Sequence, residues 1–279
     1  MDPRRLEMKK LAMNNLRGLG LVLKKLPITL LRQCDRPNPR ETLVPTCNRL
    51  EEKGWIQEIL GWGRDGLTGV YLEELVRGEP YVKNANIFVA LKASRVNQQR
   101  RTDVVGFLVY GSYVPKRNSP DNDWFIHIPQ ISQRLDTTAE IEAVIRKPGD
   151  QYRGIGAALL EFAIADMASR RKAGAPRYTD LMLFTSTQDA TDMRDAAARY
   201  GFLRRANMQY RDEDGNNITQ ELVDAGEADP TNTTSAMHLD LTINARLNAA
   251  LNHIRGRVVN ANVCPKGRNA ERPMWTLCR

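Results

Sequence analysis

The sequence predicts a mixed α/β (α+β) domain, a mostly antiparallel twisted sheet flanked by helices, set between basic N- and C-terminal extensions. Three observations lead there. The runs Ile87–Leu91 (IFVAL) and Val104–Tyr110 (VVGFLVY) are apolar on both faces and joined by a charged link, as two paired central strands would be. Residues 139–172 read as strand, glycine turn and long apolar helix. Charge is divided along the chain: residues 1–40 carry ten basic side chains against three acidic, and residues 245–279 carry seven against one. The middle is therefore net acidic, although the whole chain stands at +8.

Residues 5–26 set Leu6, Leu16, Leu19, Val22, Leu23 and Leu26 among Lys9, Lys10, Arg17, Lys24 and Lys25, which predicts an amphipathic helix weakened at Gly18 and Gly20. Such a helix packs on its domain or on a second subunit; a membrane surface and nucleic acid are the alternatives. A short strand is expected at 28–32 before the Pro37-Asn38-Pro39 break, then helices over 47–62 and 67–77. After the two central strands come strands at 124–128 (WFIHI) and 139–146 (AEIEAVIR). The helix expected over 155–172 turns Leu159, Leu160, Phe162, Ala163, Ile164 and Met167 inward and ends at Gly174 and Pro176. A buried strand at 178–186, a helix at 189–200 stopped by Gly201, an acidic loop at 212–230 and an alternating strand at 236–244 follow. These divisions give a basic helical extension over 1–26, a domain over 27–244 and a basic extension over 245–279, with 27–244 sufficient for the site described next.

No uncharged apolar run is long enough to span a bilayer. Cys34, Cys47, Cys264 and Cys278 are scattered without CxxC pairs or neighbouring histidines, so no metal is expected and a reducing, intracellular, most simply cytoplasmic setting fits. The basic, leucine-rich start lacks a signal peptide's apolar stretch and cleavage site, and it differs from a transit peptide in having no serine and in carrying Asp2 and Glu7.

Chemistry concentrates in Gln151-Tyr152-Arg153-Gly154-Ile155-Gly156, between the strand at 139–146 and the following helix. Such a turn aims backbone N–H groups at the space before a helix N-terminus, a favourable place for phosphate. Gly154 and Gly156 let the main chain approach a ligand closely, although glycines before a helix also serve packing alone.

The stretch AEIEAVIRKPGDQYRGIGAALLEFA resembles the central motif of the GNAT superfamily of N-acetyltransferases, most closely its histone-acetyltransferase branch. The strand YTDLMLFTS and the helix ending AAARYGF resemble that family's next two elements, so the match covers about residues 139–203. The resemblance implies a GNAT-like fold and acetyl-CoA as co-substrate. It implies that the amides of Gln151, Tyr152, Arg153, Gly154, Ile155, Gly156 and Ala157 hold the pyrophosphate, and that the strand end Val144, Ile145, Arg146 pairs with the pantetheine arm and holds the thioester carbonyl. Glu140 matches the general base of that branch; the alternative is a carboxylate in a structural salt bridge. Strand alternation puts Glu142 on the same face.

Two positions depart from the pattern. Ala197 stands where many members carry a tyrosine as general acid, and the nearby Tyr200 reads as core. Arg146 replaces an apolar residue and would either touch a coenzyme phosphate or face solvent. Direct transfer needs no covalent enzyme intermediate, so neither Cys264 nor Cys278 is required. His127, His238 and His253 read as structural, and Tyr210, Asp212 and Asp214 as a border of the acceptor site. The acceptor expected for an acidic middle is a primary amine on a protein lysine, a protein N-terminus or a polyamine. The alternatives are a nucleic-acid or ribosome-associated substrate reached through the basic ends, and a non-catalytic coenzyme A-binding protein. The acceptor's identity and the oligomeric state stay open.

Overall fold

The architecture is that of a computed structural model, which describes residues 2–26, 54–55, 58–59, 62, 82–96, 99–114, 117–119, 122–127, 131–186, 191–204, 209–212, 217–218 and 234–263. Helices α1 (Pro3–Gly18), α2 (Ile155–Ser169), α3 (Thr191–Arg199) and α4 (Asn244–Val263) accompany strands β1 (Leu21–Leu26), β2 (Lys83–Val96), β3 (Gln99–Ser112), β6 (Thr138–Arg146), β9 (Asp180–Ser186), β10 (Leu203–Arg204) and β13 (Thr234–Asp240). Those strands form one sheet in the order β1-β2-β3-β6-β9-β13-β10. Only β6 and β9 run parallel within it; the other neighbours are antiparallel. This is the mixed, mostly antiparallel sheet flanked by helices that the sequence predicts. A smaller sheet, not expected beyond its strand at 124–128, joins β4 (Arg117–Ser119), β5 (Asn122–His127), β11 (Gln209–Asp212) and β12 (Asn217–Ile218).

Residues 3–26 are built into the domain rather than standing apart as an extension. Asp2 caps α1 by accepting the Arg4 N–H at 3.0 Å, and Pro3 opens the helix. Met8, Ala12 and Leu16, four residues apart and hence on one stripe, are buried against α2 and α4. Leu6, which the sequence placed on the apolar stripe, is half exposed at 50%. The helix stops at Gly18 because Gly20 turns the chain at φ +70°, so 21–26 is an edge strand on β2 instead of two more helical turns. Arg5 is buried and donates to the carbonyls of Ala168 (3.1 Å), Tyr178 (3.1 Å) and Leu241 (3.0 Å), tying three element ends together. The boundary at 244/245 likewise cuts the packing: α4 runs for 20 residues and buries Leu247, Ala250, Leu251 and Ile254 in the same core.

Helix α2 packs on the sheet and on α1 and shares their core with α4, which explains why Ala158 through Ala168 are buried on every face. Gly106 of β3 permits the close approach: a Cβ there would stand 2.7 Å from Leu159 Cδ1 and 3.2 Å from Ile155 Cγ2. The helix ends at Ser169, three residues before the expected end. Arg170 is extended, and Arg171–Lys172 (β7) pairs with Ala175–Pro176 (β8) as a small hairpin. On the sheet's opposite face a second core gathers Ile87, Val89, Phe107, Val109 and Ala143 with Trp55 and Ile59. The strand expected at 28–32 and the helix at 67–77 fall outside the described residues, as does most of the helix at 47–62.

Candidate functional site

The site begins where two strands part. The parallel register of β6 and β9 holds for Thr138↔Asp180, Ala139↔Leu181, Glu140↔Met182 and Ile141↔Leu183, and then stops. Beyond it β6 continues along β3 as far as Arg146↔Gly106, and β9 continues along β13 as far as Ser186↔Thr234. The separation coincides with a β-bulge: Val109 faces Ala143 while Tyr110 faces Ile141, leaving Glu142 as the extra residue. Alternation is therefore broken at Glu142. Ala139 and Ile141 belong to the helix-side core and Ala143 to the other, so parity does not carry Glu142 onto the face of Glu140. Over Val144, Ile145 and Arg146 the β6 edge toward β9 has no ladder partner among the described residues.

The chain then turns. Gly149 sits at φ +119°, a short 3-10 turn covers Asp150–Tyr152, and Gly154 at φ +82° is the N-cap of α2. Several contacts brace this turn. Arg146 Nη1 donates to the carbonyls of Lys147 (3.3 Å) and Gly149 (3.0 Å), so its guanidinium supports the loop from outside. Asp150 and Arg153 pair at 2.9 Å. Lys147 is ion-paired with Glu58, which raises its pKa, and its ammonium stands 5.6 Å over the Tyr152 ring.

Two amides assigned to the ligand by the resemblance are engaged inside the turn: Tyr152 N–H donates to the Gly149 carbonyl at 3.2 Å and Arg153 N–H to the Asp150 carbonyl at 3.1 Å. The first intrahelical bond runs from Ala158 N–H to the Gly154 carbonyl at 3.0 Å. Ile155, Gly156 and Ala157 precede it, so their N–H groups have no carbonyl a helical turn back, and Gly154 offers no capping side chain. Among the described residues, a Cβ on Gly156 would meet nothing within 4 Å. Gly154 is required by its left-handed backbone; no neighbouring atom requires Gly156, which costs a helix about 1 kcal/mol relative to alanine.

Glu140 is wholly buried, one residue before the last parallel pair, facing Gly111 on β3 and Met182 on β9. Its charge reaches Tyr113, a buried residue just past β3 whose N–H donates to the Thr138 carbonyl at 3.0 Å. Burial and then Glu140 push the Tyr113 hydroxyl well above the ordinary tyrosine range. Tyr113 was not legible as a site residue, because in sequence it opens a polar, proline-bearing segment. Ala197 is buried and offers no hydroxyl, and Tyr200 is core, donating to Glu161 Oε1 at 2.9 Å. His238 is buried with Nε2 2.7 Å from Asp180 Oδ1, and the His253 ring stands edge-on to Tyr200 at 4.5 Å. His127, Tyr210 and Asp212 lie on the smaller sheet; Asp214 falls outside the described residues. Among the described residues no helix is long and apolar enough to cross a membrane.

No family model and no curated protein sequence matches the chain. Among solved structures it is similar to Arabidopsis thaliana NAA60 in complex with a bisubstrate analogue, at 13% identity and a TM-score of 0.37 over 78% of this chain and 97% of that one. So distant a likeness does not bear on activity.

Proposed function

We propose that this chain is an N-acetyltransferase that passes an acetyl group from acetyl-CoA directly to a primary amine. The observation that carries the reading is the start of α2: three amides without helical acceptors, and at Gly156 a missing side chain whose place no atom of the described residues fills. A phosphate-bearing ligand accounts for both, since the amides supply donors and the glycine lets it approach. Ile155, Gly156 and Ala157 would hold the pyrophosphate, and the free edge of β6 over Val144, Ile145 and Arg146 would pair with the pantetheine arm. The thioester supplies an activated acyl group. The chain's own part is to orient it and to accept a proton from the attacking amine, a role that falls to Glu140 beside the opening of the strands. The net acidic middle favours a cationic acceptor, such as a protein lysine, a protein N-terminus or a polyamine.

Coenzyme A release by the purified chain, given acetyl-CoA and a panel of amines, tests the reading. Amine-dependent release is expected. Binding of the coenzyme without turnover on any amine would instead assign the chain to non-catalytic coenzyme binding, and no binding at millimolar coenzyme would remove the site.

A further inference from the structure

Resting on that coenzyme reading, we infer that Arg257 of α4 is a positioning residue for the coenzyme, fixing the first peptide plane of α2 from the far end of the chain. Its guanidinium spans two groups: Nε lies 2.9 Å from Glu161 Oε1, and Nη2 donates to the Gly154 carbonyl at 3.3 Å. Glu161 is a firm anchor. It is wholly buried within α2 and also accepts from Asn15 Nδ2 of α1 at 2.7 Å and from the Tyr200 hydroxyl at 2.9 Å. Burial raises its pKa, and the Arg257 charge is the largest influence that opposes the rise.

The Gly154 carbonyl thus receives two donors, Ala158 N–H from inside the helix and Arg257 from α4. In a trans peptide the carbonyl and the following N–H point in opposite directions. A carbonyl held from both donors therefore sets the direction of the Ile155 N–H, the first of the three amides available to a phosphate. Gly154 needs such a brace, because it has no capping side chain and glycine has the widest backbone freedom. The task suits arginine: one fork nitrogen takes the carboxylate while another takes the carbonyl, which a single ammonium cannot reproduce at both places. The C-terminal helix, set apart by sequence as a basic extension, thereby becomes part of the coenzyme site.

Isothermal titration of coenzyme A into the full chain, with melting temperature read on the same samples, tests the inference. Arg257→Lys keeps a cation opposite Glu161 but lacks the second fork nitrogen. The double variant E161Q/R257M removes both charges together and keeps an amide for Asn15 and Tyr200. Both are expected to melt close to the wild type while the coenzyme Kd rises about tenfold or more. KM for acetyl-CoA should rise in parallel, with kcat at saturation little changed, a split that a purely structural role would not produce. If E161Q/R257M does not fold, Arg257→Lys decides alone. A folded variant with the wild-type Kd overturns the role of Arg257 and leaves the coenzyme reading standing. A wild-type chain that binds no coenzyme overturns that reading and the role of Arg257 with it.

Discussion

Ile141 on β6 faces Leu183 on β9, and past this pair the two parallel strands go separate ways, one with β3 and the other with β13. Main chain of β6 without a ladder partner among the described residues and α2 amides without helical acceptors are therefore joined by one braced turn. A ligand that engages both should stiffen the native state. Coenzyme A is expected to raise the melting temperature with dose, by an amount equivalent to about 2.7 kcal/mol at a hundredfold excess over Kd. Differential scanning calorimetry across a titration measures it, and a flat response at millimolar concentrations rules out the site.

The two glycines of the turn should respond differently. Gly156→Val places its side chain in open space, so stability should hardly move while coenzyme binding is lost. Gly154→Ala puts a Cβ on a left-handed backbone and should cost about 1–2 kcal/mol of stability before any effect on the ligand. Chemical denaturation and titration of each variant separate the two effects.

Glu140→Gln keeps the size of a wholly buried side chain and removes its capacity as a base. Turnover at neutral pH should fall by roughly 10² to 10⁴, with coenzyme affinity little changed. The deficit should narrow toward alkaline pH, where the amine loses its proton unaided. Initial rates from about pH 6.5 to 9.5 at saturating acetyl-CoA decide the point; equal rates throughout would take Glu140 out of the mechanism.

Asp166 gives a stability test independent of the ligand. Its carboxylate accepts from the Tyr110 hydroxyl at 2.6 Å and pairs with Arg170 at 2.7 Å and Lys9 at 3.0 Å. Burial alone would raise its pKa, but Tyr110, Arg170 and Lys9 together lower it. A lowered folded-state pKa stabilises the fold above the unfolded carboxyl's pKa of about 3.9, and that contribution is lost as pH falls through the folded value. Asp166→Asn should accordingly be less stable by about 1–3 kcal/mol near pH 7, with the gap closing below about pH 4. Urea unfolding of both forms across that range shows it.

A chain cut to residues 27–244 is expected not to fold. It lacks the Met8, Ala12 and Leu16 stripe, the α4 side chains Leu247, Ala250, Leu251 and Ile254, and every donor that Arg5 supplies. Circular dichroism without a cooperative melt is the expected result; a folded fragment that binds coenzyme would restore the narrower boundaries.

What the sequence made legible was local. Gly154, Gly156 and the apolar run after them lie within a few residues of one another, so spacing alone reports the turn and the helix. The bulge at Glu142 was hidden because it is a property of the pairing with Val109 and Tyr110, not of the run AEIEAVIR. Distance in sequence hid the rest. Asn15 meets Glu161 across 146 positions and Arg257 meets Gly154 across 103, and neither contact leaves a periodic trace in the chain. The basic residues at both ends read as extensions of the domain, yet Arg5 is buried on three carbonyls and Arg257 is held by a carbonyl and a carboxylate of α2.

Arg5 carries a last consequence, for the order in which the protein is made. It leaves the ribosome well before the Leu241 carbonyl it holds, which lies 236 positions later. At roughly 5–20 residues per second, translation delivers that partner some ten to fifty seconds afterwards. Helix α1 must wait for α4 to be made before its slot between α2 and α4 exists. Until then its buried stripe is open to chaperones, and the domain closes only once its two ends meet.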